Sequence, residues 1–154
     1  MQNIKNDLFE FVVGEDGIGI FTINQVNNPT NLFSSAFINA YLEVAQKAIA
    51  DENIAGVIVT SGRSMFMPGA DLRELNKMGG DPGGQLQGML EMHTAFREIE
   101  TSGKPFVAAI NGTAMGGGGT GCASAKVGHG AGPTDGVCRS GDPRGSGTDW
   151  GEPR

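Results

Sequence analysis

The chain has 154 residues, 11 basic and 17 acidic, for a formal charge of −6. That length sets a prior of one domain with a buried core, and an acidic balance of this size argues against a nucleic-acid-binding surface. No apolar run approaches ~18 residues, so no membrane span is expected, and the N-terminal MQNIKNDLFEF lacks the apolar core of a signal peptide, so a cytoplasmic setting is expected.

Phe9–Val13 and Ile18–Asn24 are rich in Val, Ile and Phe, and Gly14-Glu15-Asp16-Gly17 between them carries an Asp-Gly turn signal. Together they predict a β-hairpin. Val26–Phe33, with Asn27-Asn28-Pro29, reads as a loop. Ser34 or Ser35 then caps a helix to about Ala50, whose Phe37, Ala40, Tyr41, Val44, Ala48 and Ile49 follow 3-4 spacing. Val57–Thr60 is a short strand expected to be buried on both faces. Ser61–Ala70 is a Gly/Ser loop, Asp71–Met78 a short helix and Gly79–Gly84 a breaker stretch. Gln85–Glu100 is an amphipathic helix with Leu86, Met89, Leu90, His93, Phe96, Arg97 and Ile99 marking its faces, stopped by Ser102-Gly103-Lys104-Pro105. Phe106–Ile110 is a second buried strand, and Asn111–Gly119 a glycine loop. Strands alternating with helices predict an α/β layered fold.

Glycine, at 26 residues, is well above the ~7% of average usage. Composition changes after Gly119. Residues 1–119 carry every Leu, Ile, Phe, Tyr and Met and a net charge of −6; Thr120–Arg154 has none of those residues and no net charge. The tail, 120–154, is therefore expected to be a Gly-rich, unstructured segment beside a partial domain over 1–119. Cys122 and Cys138, with His129 between them, lack CxxC spacing and read as incidental thiols, kept reduced in a cytosolic setting, so no metal is expected.

Two stretches share one plan: a buried strand, then a glycine loop. Ligands of open α/β sheets sit outside the carboxyl ends of strands, and glycine lets backbone N–H groups approach them. Two such N–H groups converging on one carbonyl oxygen would make an oxyanion hole; two ordinary strand-ending turns are the plainer alternative. Gly116-Gly117-Gly118-Gly119-Thr120-Gly121 also matches GxGxxG, but no apolar helix follows it, so nucleotide binding is not expected. His93 reads as a packed or surface histidine, and Lys104 as a solvated charge. Asp71 and Glu74 read as acids in the first turn of a helix, and Met65 and Met67 as core packing, with a ligand contact the alternative.

Residues 61–72, SGRSMFMPGADL, resemble the first signature of the crotonase (enoyl-CoA hydratase/isomerase) superfamily, and residues 104–118, KPFVAAINGTAMGGG, its second, in the same order and spacing. Asn28-Pro29-Thr30-Asn31-Leu32-Phe33-Ser34 lies where the family has its early CoA-contacting loop. The variant is most similar to the hydratase region of the multifunctional α subunit of bacterial fatty-acid oxidation complexes. The resemblance covers roughly 8–119 and implies the front half of a ββα spiral. It implies an acyl-CoA ligand whose thioester oxygen is held by the N–H groups of Ala70 and Gly117, with Asn31, Phe66, Met67, Gly69, Asp71, Gly116 and Gly118 around the substrate. It also implies assembly as trimers or in a complex with a thiolase subunit. No metal or redox cofactor is implied, CoA being part of the substrate; NAD would belong only to a dehydrogenase region of a complete parent.

The sequence departs from that pattern after Gly118. The family's first catalytic glutamate would stand at position 120, which is Thr120, and Glu152 is at the wrong distance for the second. A pair of carboxylates is what hydration of a trans-2-enoyl-CoA uses, one accepting and one donating a proton. The chain is therefore expected to keep the carbonyl-binding half of the site and to lack hydratase or isomerase chemistry. An acyl-CoA-binding piece without chemistry, or a non-functional one, is the alternative. The loss of apolar residues at the same boundary points to a shifted reading frame or a premature truncation, a genuine disordered tail being the other reading.

Overall fold

The computed structural model describes residues 3–74, 82–116 and 126–128. Among these, six strands form one sheet in chain order: β1 (Ile4–Lys5), β2 (Phe9–Val13), β3 (Ile18–Ile23), β4 (Gly56–Ser61), β5 (Phe106–Ala109) and β6 (Lys126–Gly128). β1, β2 and β3 pair antiparallel, and β3 to β6 pair parallel. Parallel neighbours need a crossover. Helix α1 (Ser35–Ala50) supplies the one between β3 and β4, and α2 (Pro82–Thr101) lies between β4 and β5.

The predicted hairpin is β2–β3, with Asp16 Oδ1 accepting the Ile18 N–H at 3.0 Å across the turn. Alternation then sorts the side chains. Phe9, Phe11, Phe21, Ile23, Val57, Val59, Phe106 and Ala108 are buried. They meet Phe37, Tyr41, Val44, Ala45 and Ala48 of α1 and Phe96 and Ile99 of α2 in one core. Phe21 is central, stacked on Phe9 at 4.4 Å and edge-on to Tyr41 at 5.3 Å. The other face of the sheet is only partly covered. Ile58 and Thr60 are half-buried, and Val12 and Ile20 are exposed. This corrects the expectation of a β4 buried on both faces: the described helices pack on one side.

α1 begins where expected. Ser34 is its N-cap, its hydroxyl accepting the Phe37 N–H at 3.3 Å. Its other end is closed by Lys104, whose Nζ donates to the carbonyls of Ala48 and Asp51, both at 2.7 Å. Lys104 is thus a C-terminal cap rather than a solvated charge, complementing both the orphan carbonyls and the negative end of the helix dipole. Lys104→Met is expected to cost about 1–2 kcal/mol, read as a lower urea midpoint; an unchanged midpoint would reject the capping role.

α2 starts at Pro82, so Pro82, Gly83 and Gly84 belong to the helix and not to a breaker stretch. Proline suits a first helical position, where its missing N–H was an orphan anyway. Phe96 and Ile99 are buried, whereas Leu86, Met89 and Leu90 are exposed, as is His93. The expected helix from Asp71 is helical over 72–74, and 75–78 lie outside the described residues. Within the segment expected to be unstructured, Lys126–Gly128 pairs with Val107–Ala109 as β6. Cys122, His129 and Cys138 lie outside the described residues. Among the described residues no helix is long and apolar enough to cross a membrane.

Candidate functional site

The carboxyl ends of β4 and β5 open into two loops, 62–70 and 110–116, and two isolated parallel bridges tie the region together. Met67 pairs with Ala114: Met67 N–H reaches Thr113 C=O at 3.0 Å, and Met115 N–H reaches Met67 C=O at 3.1 Å. Phe33 pairs with Ala70: Phe33 N–H reaches Gly69 C=O at 2.9 Å, and Asp71 N–H reaches Phe33 C=O at 3.2 Å. In a parallel bridge of this kind the middle residue turns its own N–H and C=O to the opposite side. Among the described residues nothing accepts from the Ala70 N–H. It is a half-buried backbone donor with no acceptor among the described residues, on a residue held from its other side by Phe33.

Backbone contact brings the loops this close. A Cβ on Gly112 would overlap the Ser64 carbonyl oxygen and lie 2.9 Å from its carbon and 3.0 Å from Met65 Cα. Asn111 adds a clasp, its Nδ2 donating to Ser61 C=O at 2.7 Å. Gly69 and Gly116 have space around them, but their φ values of 153° and 53° suit glycine.

Behind the loops lies a buried amide network. Asn31 is fully buried. Its Oδ1 accepts the Gln25 N–H at 3.1 Å, and its Nδ2 donates to Ser61 Oγ at 2.9 Å and Phe66 C=O at 3.1 Å. Ser61 Oγ also accepts the Arg63 N–H and donates to Met65 C=O. Arg63 holds the 24–29 stretch through Asn24 Oδ1, Pro29 C=O and Gln25 C=O at 3.2, 2.8 and 2.7 Å. Asn31 therefore spends its amide inside the protein and fixes the loops. Phe66 and Met67 are buried in the core, with Met67 contributing its backbone to the bridge. Ser61, Gln25, Arg63, Asn111 and Gly112 were not singled out from the sequence; their types are common loop residues, and only the loop-to-loop pairing gives them a role.

Asp71 is engaged by Arg73. Its carboxylate takes Nε at 3.0 Å, Nη2 at 2.9 Å and the Arg73 backbone N–H at 2.9 Å. The Arg73 side-chain hydrogen bonds, then its backbone N–H, hold the Asp71 carboxyl below its ordinary value. Glu74 Oε2 accepts both the backbone N–H and the hydroxyl of Ser35 at 2.9 Å. Ala70, Asp71 and Glu74 form one wall of a cleft of about 630 Å³. Ile38 and Leu42 of α1 and Met89 and Met92 of α2 line it with apolar surface. Gly117 and Gly118 lie outside the described residues.

The sequence model described as enoyl-CoA hydratase/isomerase matches residues 15–125. The fatty acid oxidation complex subunit alpha of Pseudomonas syringae pv. tomato is 36% identical over 105 residues, covering 68% of this chain and 15% of that protein. The subunit of the same name from Acinetobacter baumannii (strain AYE) is 35% identical over 105 residues, covering 67% and 14%. The chain thus spans about 15% of the length of these curated relatives. Among solved structures, an enoyl-CoA hydratase/carnithine racemase from Magnetospirillum magneticum superposes with a TM-score of 0.69 at 24% identity, over 79% of this chain and 45% of that one. An enoyl-CoA hydratase from Shewanella pealeana does so with a TM-score of 0.68 at 16% identity, over 76% and 44%. At these identities the structural likeness speaks for the fold.

Proposed function

The chain belongs to the enoyl-CoA hydratase/isomerase family, and from that premise we propose that it binds an acyl-CoA thioester at the carboxyl ends of β4 and β5. The thioester carbonyl oxygen would accept the N–H groups of Ala70 and Gly117. The observation that carries this reading is the Ala70 N–H, which has no acceptor among the described residues while the Gly69 C=O of its own peptide and the Asp71 N–H of the next are both bonded to Phe33. By count along the chain, Gly117 stands three residues beyond Ala114, as Ala70 stands three beyond Met67, the bridge partner of Ala114. Preorganised backbone donors of this kind stabilise the negative charge that develops on a carbonyl oxygen. The apolar wall of the cleft beside Ala70 suits an acyl chain. CoA is part of this ligand, and the reading calls for no metal or redox cofactor.

Binding and turnover separate here. Thr120 occupies the position of the family's first catalytic glutamate, and a threonine hydroxyl is no carboxylate base. Each missing acid/base group forfeits roughly 10²–10⁴-fold. The 154-residue chain is therefore expected to bind crotonyl-CoA saturably in calorimetry while the enoyl absorbance stays constant. Loss of absorbance at the rate of a complete family member would overturn the inactivity; absence of binding would overturn the site.

A further inference from the structure

We propose that Glu74 is a positioning residue for the Ala70 N–H, an inference that rests on the thioester reading above. The segment carrying Ala70 is attached to the approach of α1 at two places. One is the backbone bridge, Phe33 to Gly69 and Asp71. The other is Glu74, whose single Oε2 takes both donors of Ser35. The bridge alone is a pair of bonds about one residue and can act as a hinge. An anchor four residues further along, on the residue two beyond Phe33, removes that rotation and fixes the direction of the donor. Donor direction matters here, because an N–H···O contact weakens steeply as its angle closes.

The charge of Glu74 fits its position. α1 carries no acid in its own first turn, so Glu74 supplies the negative charge that its N-terminus favours. A carboxylate only accepts hydrogen bonds and cannot itself donate to a thioester oxygen. Its effect on the ligand therefore passes through the placement of Ala70, on the same wall of the cleft. Ser35 is exposed, so water can take its N–H when the carboxylate is removed, and the fold does not depend on the contact.

The test uses the full chain and butyryl-CoA labelled with ¹³C at the thioester carbonyl, a saturated ligand that hydration cannot consume. Isotope-edited infrared spectra of the wild-type complex are expected to place the carbonyl stretch below that of free ligand, as N–H donation requires. In Glu74→Ala the share of that downshift owed to the Ala70 N–H is expected to vanish and affinity to fall about tenfold, with an unchanged circular dichroism spectrum. Ser35→Pro cuts the same contact from the other side. Proline is favoured at a first helical position, and Ser34 before it is already extended at φ −116°, ψ 160°. It is expected to lose the same share of the downshift, and it carries the test if the glutamate variant fails to fold. A full downshift in either folded variant overturns the role of Glu74 and leaves the thioester reading standing. Wild-type protein that fails to bind, or binds with no downshift, overturns both.

Discussion

Asn31→Leu is expected to cost about 2–6 kcal/mol and to lower the urea midpoint further than Lys104→Met or Gly112→Ala. The side chain is fully buried, and its amide serves groups on three different segments. Two of its partners have substitutes: Ser61 Oγ keeps the Arg63 N–H and the Met65 carbonyl, and the Ile23 carbonyl, which accepts from Asn31 Nδ2 at 3.3 Å, keeps the Gly62 N–H at 2.9 Å. The Gln25 N–H and the Phe66 carbonyl have no other partner among the described residues. Leucine would strand both, at roughly 1–3 kcal/mol each. Against a total stability of about 5–15 kcal/mol for an ordinary domain, that is a large share. Asn27→Ala is the control: its amide meets Asp7 at an exposed site, and its loss is expected to stay within about 0.5 kcal/mol. Urea titration followed by circular dichroism decides it; equal midpoints for the two variants would show that the buried amide is not what holds the loops.

Gly112→Ala is expected to be the second most damaging single change, at about 3 kcal/mol, or a Tm lower by on the order of 10 °C. The added methyl meets the Ser64 carbonyl and Met65 Cα, both backbone, so no side chain can swing aside. Relief requires the two loops to separate, which strains the Met67–Ala114 bridge and the Asn111 clasp. Affinity for an acyl-CoA is expected to fall with it, since Ala70 lies three residues beyond Met67. Gly88→Ala gives the contrast. Nothing lies within 4 Å of a Cβ there, in a helix, so it is expected to be stabilising by about 0.5–1 kcal/mol. A Gly112→Ala protein that melts with the wild type would mean that the loops are not in backbone contact in solution.

Periodicity located the hairpin, α1 with its serine cap, and the two units of strand and glycine loop. Those features are local: an alternating run, a 3-4 stripe and a turn dipeptide each act within a few residues. Nothing near Lys104 in sequence needs a cation, yet the carbonyls it caps at the end of α1 lie 53 and 56 residues away. The glycines before Gln85 have the composition of a breaker. They are helical because a proline at the first position starts the helix well and two glycines cost only about 1 kcal/mol each. Leu86, Met89 and Leu90 follow helical spacing but stay exposed, since spacing names a face and does not say what covers it.

The site divides in the same way. The sequence by itself determined the family, through two motifs in register, and with it the expectation that Ala70 carries an oxyanion donor. It also carries the expectation that the first catalytic glutamate is absent, since Thr120 stands at its place in the motif. Only the tertiary structure decided how that donor is held: the Phe33 bridge that turns the Ala70 N–H outward, the buried amide of Asn31, and the carboxylate of Glu74 on Ser35. The contacts of Asn31 with Ser61 and Phe66 and of Glu74 with Ser35 join residues 30 to 39 positions apart. Hydrogen bonds between loops depend on which chain segments the parallel crossovers bring side by side, and no short-range pattern encodes that.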